Sequence, residues 1–138
     1  RGLSPVGMDN DTGLLAALDA LVRSAGGVFY VQCEFRSDLV SVDMEAGVQT
    51  QLYRIAQEAV HNAVRHGKAN QILLTLSNGA AGKTLCIEDN GTGFDPSQNE
   101  SKGMGLHIMR YRATMIHALL NIESEPRQGT RVTCTLGA

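Results

Sequence analysis

The sequence has few of the features that mark several large classes of protein. It contains no tryptophan, and only three cysteines and three prolines among 138 residues. The cysteines are odd in number, lie far apart and form no CxxC pair, so neither a disulfide framework nor a metal or redox site is expected. Cys33, Cys86 and Cys134 each lie in an apolar, strand-like run, which indicates reduced core thiols of a cytosolic protein.

Charge and hydrophobic runs exclude further classes. The formal net charge is -2 and no basic run exceeds two residues, which argues against a nucleic-acid partner. No apolar stretch approaches the roughly 20 residues that span a bilayer, and no signal peptide is visible, so direct membrane contact is not expected. Apolar residues still make up 43% of the chain, enough for one domain with a real core. The start at Arg1–Pro5 lacks a Met, so we expect a piece of a longer, cytoplasmic protein whose membrane anchoring stays open.

Hydrophobic periodicity predicts alternating helices and strands. In chain order these are a helix over 13–25 that ends at Gly26-Gly27, a strand over 28–35, a long helix over 48–66, strands over 72–76 and 84–89 around a hairpin turn at 78–82, a loop over 90–102, a helix over 104–117, and strands over 120–123 and 131–136. The pattern predicts the α+β class, as a two-layer sandwich whose mixed, mostly antiparallel sheet has helices on one face. We expect residues 1–12 to be a lead-in from an upstream segment and 13–138 to be the domain.

The long helix carries a polar face opposite its apolar stripe. Arg54, Glu58, Asn62 and Arg65 are spaced by four, four and three residues and therefore share that face. A solvated face with ion pairs is one interpretation, and the wall of a pocket is the other. A mid-helix Asn is a poor helix former, which favours the pocket. There Asn62 would offer an oxygen to Mg²⁺, Arg65 would meet phosphate oxygens, and Glu58 would accept a proton or bind a metal-bound water.

Two glycine-rich turns follow later in the chain. Asp89-x-Gly91-x-Gly93 ends a strand, where a carboxylate beside flexible backbone can accept a hydrogen bond from an amine such as that of adenine. Gly103-x-Gly105 begins a helix, whose free N–H groups suit phosphates. No dinucleotide-fold strand precedes it, so a Rossmann site is excluded. The segment 79–84 has part of a P-loop pattern, but a strand follows it, which indicates a hairpin turn instead.

Taken together, these motifs resemble those of the GHKL (Bergerat-fold) ATPases. The resemblance lies in an N box at 57–66, glycine boxes at 89–94 and 103–106, and a final Gly-Thr element at 129–130. The segment Leu52–Ala59 and the short loop between the glycine boxes are similar to sensor histidine kinases of the nitrate-sensor type. Two positions depart from the family pattern, since His117-Ala118 replaces a usual Gly-Gly and Arg127 replaces a common turn glycine.

The resemblance implies ATP and Mg²⁺ as cofactors and a role for each motif residue. Asp89 would bind the adenine amino group, Asn62 would hold Mg²⁺, and Glu58 matches the acid of the N box and is the candidate catalytic residue. The resemblance implies further nucleotide-binding residues near the phosphates, in the lid and its hinges, and at the adenine end. These are Arg65, His66, Gly91, Gly93, Gly103, Gly105, Leu106 and Thr130.

None of the four histidines lies where the family carries its phosphoacceptor. His61 and His66 belong to the N box, and His107 and His117 follow the second glycine box. The resemblance therefore implies a monomeric ATP-binding catalytic domain that donates the γ-phosphoryl group to a histidine on an absent dimerisation domain. The full kinase would pair with a response regulator with a LuxR-type output domain. Two alternatives stay open: an anti-sigma-factor-type serine kinase on the same fold, and a degenerate nucleotide-sensing module.

Overall fold

The computed structural model describes residues 13–93 and 104–137. The predicted lead-in over 1–12, the loop residues 94–102 and Gly103 lie outside these residues. Over the described part, the chain forms three helices and five strands. They are α1 Gly13–Phe29, β1 Gln32–Ser37, α2 Ala46–Arg65, β2 Gln71–Gly79, β3 Gly82–Asp89, α3 Met104–Met115, β4 Leu119–Ser124 and β5 Thr130–Thr135.

The five strands form one mixed sheet in the order β1-β2-β3-β5-β4. β1 pairs with β2 in parallel, and every other neighbouring pair is antiparallel. A parallel pair cannot be closed by a tight turn, and α2 supplies the crossover between β1 and β2. The predicted two-layer α+β sandwich with a mixed, mostly antiparallel sheet is confirmed.

The core lies between one face of the sheet and the helices. Inward positions alternate along the strands, so that Leu74 and Leu76 of β2 are fully buried while their neighbours are only half-buried. Leu18 of α1 and Ile55 of α2 are fully buried against this face. The other face of the sheet carries polar cross-strand pairs.

One such pair joins β3 to β5. Arg131 lies opposite Glu88 of β3 and Glu123 of β4. Its Nε donates to Glu88 Oε2 over 2.6 Å, and its Nη1 lies 3.6 Å from Glu123 Oε1. These exposed ion pairs contribute little stability individually, but they show that this face is turned to solvent.

Helix α2 runs through the middle of the helical layer. The buried residues on it follow the predicted apolar stripe, together with one polar side chain: Gln49, Leu52, Ile55, Ala56, Ala59, Val60 and Ala63. Gln49 is 2% exposed, accepts a hydrogen bond from the Leu14 N–H over 3.2 Å and donates one to the Met44 carbonyl over 2.8 Å. Both hydrogen bonds satisfy groups whose burial would otherwise be costly, and they join the first turn of α1 to the start of α2.

The predicted strand over 28–35 is wrong in its first half. Helix α1 continues through Gly26-Gly27 to Phe29, Tyr30 then adopts a left-handed conformation with φ 57°, and β1 begins only at Gln32. The chain reverses so tightly that a Cβ on Gly26 would lie 3.2 Å from the Val31 carbonyl oxygen. Tertiary packing of this reversal overrides the low helix propensity of the two glycines.

The hairpin and cysteine predictions can be compared directly with the structure. Ala80 and Ala81 connect β2 to β3 as a hairpin, so the P-loop-like segment is a turn as expected. The three cysteines are free thiols, and Cys134 is buried while Cys33 packs against the core. Cys86 does not belong to the core cluster, because it alternates with buried Leu85 and Ile87 and lies on the opposite face of the sheet. None of the described helices is long and apolar enough to cross a membrane.

The two departures from the expected glycine pattern both fall at left-handed backbone positions. His117 has φ 57° and Arg127 has φ 69°. Arg127 follows Pro126 in a turn closed by the hydrogen bond from Gln128 N–H to the Glu125 carbonyl over 2.9 Å. A proline followed by a residue with positive φ is the pattern of a type II turn, in which glycine is preferred at the second central position. The backbone is therefore left-handed at both positions, although neither residue is glycine, which adopts this conformation most easily.

Candidate nucleotide site

The polar face of α2 forms one wall of a cavity of about 250 Å³. Glu58, Asn62, Arg65 and His66 all line it, together with Gly67 just beyond the helix. Arg54 shares the same helical face but lies outside this cavity. The pocket interpretation of the face therefore applies to the second half of α2.

The first glycine-rich turn forms a second part of the lining. Asp89 is the last residue of β3 and lines the cavity together with Gly93. Its Oδ1 accepts a hydrogen bond from the Gly91 N–H over 2.7 Å. Burial raises the pKa of the Asp89 carboxyl, while hydrogen bonds from the Gly91 and Thr130 backbone act in the opposite direction. A partly buried carboxylate with remaining acceptor capacity can recognise an amine donor.

The glycines in these turns are required by close contacts. A Cβ on Gly91 would lie 2.6 Å from the Gly67 carbonyl oxygen, and one on Gly93, where φ is 67°, would overlap the Glu125 carbonyl. Gly129 has φ 82°, and a Cβ there would overlap the Asp89 carbonyl. The backbone of the β4–β5 turn thus packs directly on the end of β3.

The start of α3 approaches the middle of the α2 wall. A Cβ on Gly105 would lie 2.6 Å from Glu58 Oε2 and 2.9 Å from Asn62 Nδ2. Gly105 and Leu106 both line the cavity. Only a glycine lets the helix begin this close to the two polar side chains without moving them.

Thr130 completes the end of the cavity near Asp89. The two residues are directly paired in the sheet, and Thr130 lines the cavity. Its hydroxyl lies 2.8 Å from Ser124 Oγ, which also donates to the Gly129 carbonyl over 3.0 Å. This network fixes the threonine at the strand start, beside the carboxylate.

Apolar side chains that the motif analysis missed line the space between these polar groups. Ile87, Met109 and Val132 face the cavity, as do Ala59 and Ala63 of α2. Ile87 had one detectable signal, since it precedes Asp89 by two positions and therefore shares its side of the strand. An apolar slot with a carboxylate at one end suits a flat heteroaromatic ring that carries an amine.

The part of the cavity lined by the last turn of α2 is more exposed and carries basic side chains. Arg65 and His66 are exposed there, and Arg65 Nη1 lies 3.2 Å from His61 Nε2. No group of three or more His, Cys, Asp or Glu side chains that could hold a metal occurs among the described residues. Mg²⁺ does not need such a group, because it is usually bound through one or two protein oxygens together with phosphates and water. The Asn62 carboxamide fits that donor set.

Comparison with known proteins shows which family has this arrangement. The profile of the family described as histidine kinase-, DNA gyrase B-, and HSP90-like ATPase matches residues 47–138. The chain belongs to this family. The sequence motifs had predicted this ATPase family, whereas the nitrate-sensor subfamily stays a prediction.

Curated relatives within the family are sensor proteins. The sensor protein VraS of Staphylococcus saprophyticus is 37% identical over 95 residues, and VraS of Staphylococcus haemolyticus is 36% identical over the same length. Each alignment covers 69% of this chain and 27% of the relative. The chain therefore matches about a quarter of the length of these relatives.

Solved structures support the fold independently. The ATP-binding domain of PrrB from Mycobacterium tuberculosis superposes with a TM-score of 0.72 at 22% identity, covering 89% of this chain and 92% of that one. The blue-light activated histidine kinase EL346 of Erythrobacter litoralis gives a TM-score of 0.74 at 19% identity, covering 90% and 41%. The fold of these domains is thus matched over about nine-tenths of this chain.

Proposed function

We propose that this ATPase domain binds Mg·ATP in the cavity between α2, α3 and the β3 end, as the phosphoryl-donating half of a two-component sensor kinase. The observation that carries the proposal is the polarity of the cavity. A partly buried carboxylate, Asp89, an amide, Asn62, and a guanidinium, Arg65, line the same cavity together with apolar side chains. Such a lining offers partners for a base that carries an amine, for a metal ion and for a phosphate chain.

At the adenine end, Asp89 would accept a hydrogen bond from the exocyclic amine while Thr130 lies beside it. Ile87, Met109 and Val132 would pack against the ring. Burial of an aromatic ring between such side chains contributes most of the affinity, and the hydrogen bond to a charged acceptor contributes selectivity, worth about 1.5–3 kcal/mol.

At the phosphate end, Asn62 would supply one oxygen to Mg²⁺, with phosphates and water completing the shell. The ion supplies charge neutralisation for the transferred group. Arg65 and His66 would contact phosphate oxygens. Glu58, one helical turn before Asn62, would accept a proton or a hydrogen bond from metal-bound water, and the small Gly105 leaves room for the phosphate chain beside it.

The proposed reaction partner is the phosphoacceptor histidine of a dimerisation domain in the same protein. None of the four histidines in this chain is assigned that role. A response regulator, with a LuxR-type output domain in the proposed nitrate-sensor subfamily, would receive the phosphoryl group from the full kinase. The domain itself would be monomeric and cytoplasmic.

Calorimetric titration with ATP, in the presence and absence of Mg²⁺, tests the binding site. Asp89→Asn should weaken ATP binding at least 10-fold, because it replaces a charged acceptor by a neutral group. Asn62→Ala should remove the enhancement by Mg²⁺ and leave metal-free binding nearly unchanged. Exposed residues of the same types serve as matched controls, and Asp43→Asn and Asn121→Ala should bind like the parent.

Two results would contradict this proposal. The first is the absence of any heat of binding from Mg·ATP with the folded parent chain. The second is unchanged binding in both site variants, which would overturn the assignment of the residues even if ATP binds.

A further inference from the structure

Asn90, the residue between Asp89 and the first turn glycine, makes an unusual number of side-chain hydrogen bonds. Its Oδ1 accepts from the backbone N–H groups of Asn70, over 3.0 Å, and of Gln71, over 2.9 Å. Its Nδ2 donates to Asn70 Oδ1 over 2.6 Å. The Asn90 N–H also donates to the Gln71 carbonyl over 3.2 Å. An exposed side chain therefore joins the end of β3 to the beginning of β2 at several points.

The backbone beside Asn90 makes a parallel connection. The Thr92 N–H donates to the Gly67 carbonyl over 2.8 Å, and Gly91 packs so closely on that carbonyl that no side chain would fit. Gly67 is in turn fixed to α2, because its N–H donates to the Asn62 carbonyl over 3.0 Å. The turn after β3 and the loop after α2 thus form one hydrogen-bonded unit.

These two segments are the walls of the nucleotide cavity. Asp89 and Gly93 of the turn and His66 and Gly67 of the loop all line it. Asn90 does not line the cavity, yet its side chain fixes the distance between the segments that do. Without this side chain, backbone hydrogen bonds would still hold the segments at Gln71 and Gly67, but the Asn70 and Gln71 N–H groups would lose this partner.

We propose that Asn90 is a positioning residue for nucleotide recognition: it holds the Asp89–Gly93 turn against the loop after α2 and so sets the placement of the Asp89 carboxylate. The inference rests on the proposed ATP site. Two requirements follow from the geometry. The residue at this position must present an oxygen that accepts from two adjacent backbone N–H groups, and it must be short enough to do so from the end of β3.

Two substitutions at Asn90 separate these requirements from general stability. Asn90→Ala removes all three side-chain hydrogen bonds. Asn90→Asp keeps the oxygen that accepts from Asn70 and Gln71, and the Asn70 carboxamide can rotate to donate to the second carboxylate oxygen. Ser37→Ala is the matched control, because the Ser37 hydroxyl also makes two hydrogen bonds, to the Leu76 carbonyl over 2.6 Å and from the Leu39 N–H over 3.1 Å, far from the cavity.

Affinities for Mg·ATP and Mg·GTP are measured by calorimetry at a temperature where circular dichroism shows every variant folded. We expect Asn90→Ala to raise the Kd for ATP about 10-fold and to narrow the preference for ATP over GTP. Asn90→Asp should stay within about threefold of the parent, and Ser37→Ala should equal it. A lost hydrogen bond that matters only for stability would lower the melting temperature of both alanine variants and leave both affinities unchanged, which would overturn the proposal.

Amide hydrogen exchange of the nucleotide-free protein distinguishes failure of this proposal from failure of the ATP site. The Thr92 and Gln71 N–H groups should exchange at least 10-fold faster in Asn90→Ala and at the parental rate in Ser37→Ala. Unchanged exchange would contradict the positioning role whether or not ATP binds. If exchange is faster in Asn90→Ala but the parent chain binds no ATP, the link between the segments is supported and its connection to nucleotide recognition is refuted.

Discussion

Replacing His117 by glycine should stabilise the domain. His117 follows α3 with φ 57° and is exposed. The Ala118 N–H donates to the Ala113 carbonyl over 2.9 Å and the His117 N–H to the Thr114 carbonyl over 3.1 Å. This pair of hydrogen bonds is the Schellman ending of a helix, in which His117 occupies the left-handed position that glycine usually fills.

The expected gain follows from two opposing effects. A residue with a Cβ costs about 1–2 kcal/mol in the left-handed region, and histidine is among the residues that tolerate it better than most. Glycine removes this strain but loses about 0.5–1 kcal/mol through the greater freedom of the unfolded chain. The net stabilisation is about 0.5–1 kcal/mol, which corresponds to a rise of about 2–5 °C in Tm for a domain of this size.

Urea unfolding followed by circular dichroism measures this difference. The His117→Gly variant should unfold at a higher midpoint with an unchanged slope. His117→Ala is the control at the same position, because it removes the imidazole but keeps the Cβ, and it should show no gain. A stability at or below that of the parent in His117→Gly would refute the argument from backbone strain, since the side chain is exposed and its loss alone should cost little.

Two further predictions concern the part of the cavity around Asp89. Gly129→Ala should destabilise the domain by at least about 2 kcal/mol and weaken ATP binding, because its Cβ would overlap the Asp89 carbonyl at φ 82°. The control Gly47→Ala, in open space on α2, should instead stabilise the domain. Equal urea midpoints for the two variants would contradict the argument. Burial raises the pKa of the Asp89 carboxyl above its ordinary 3.8 in the folded state. The folded state therefore keeps the carboxyl proton to a higher pH than the unfolded state does. The contribution of Asp89 to stability falls as the pH rises from the unfolded pKa through the folded pKa. Asp89→Asn should therefore gain stability relative to the parent between pH 4 and pH 7 in paired urea titrations, whereas a constant or shrinking difference would show that the carboxyl is not penalised by burial.

The long helix and its polar face could be predicted because one element carries the whole signal. Apolar residues at helical spacing define the buried side of α2, and the same phase places Glu58, Asn62 and Arg65 together. No knowledge of other elements is needed for that step. The position of Asp89 at a strand end could be predicted for a similar reason, since it ends an alternating strand just before two glycines.

The junction between α1 and β1 could not be predicted from local pattern. Val28 to Phe35 alternates like a strand, yet the first residues of this run finish a helix, and Tyr30 turns the chain back on Gly26. The cause is packing between segments that only meet after folding. Local helix propensity does not reflect that contact.

The apolar lining of the cavity was also beyond sequence reasoning. Met109 and Val132 have the pattern of ordinary core residues, and they are indeed 1% and 3% exposed. Whether such a side chain faces another core residue or a ligand cavity depends on how far α3 lies from the sheet. The approach of α3 to α2 at Gly105, beside Glu58 and Asn62, likewise depends on a contact between elements.

The small number of fully exposed positions on α2 has a consequence for engineering this domain. Of its twenty positions, only Ala46, Gly47, His61 and Arg65 are exposed, and the last two line the cavity. Substitutions that usually stabilise a helix at its solvent-exposed positions therefore have few positions available on α2. Positions for tags, labels or stabilising changes should therefore be sought first on α1 and on the edge strand β4.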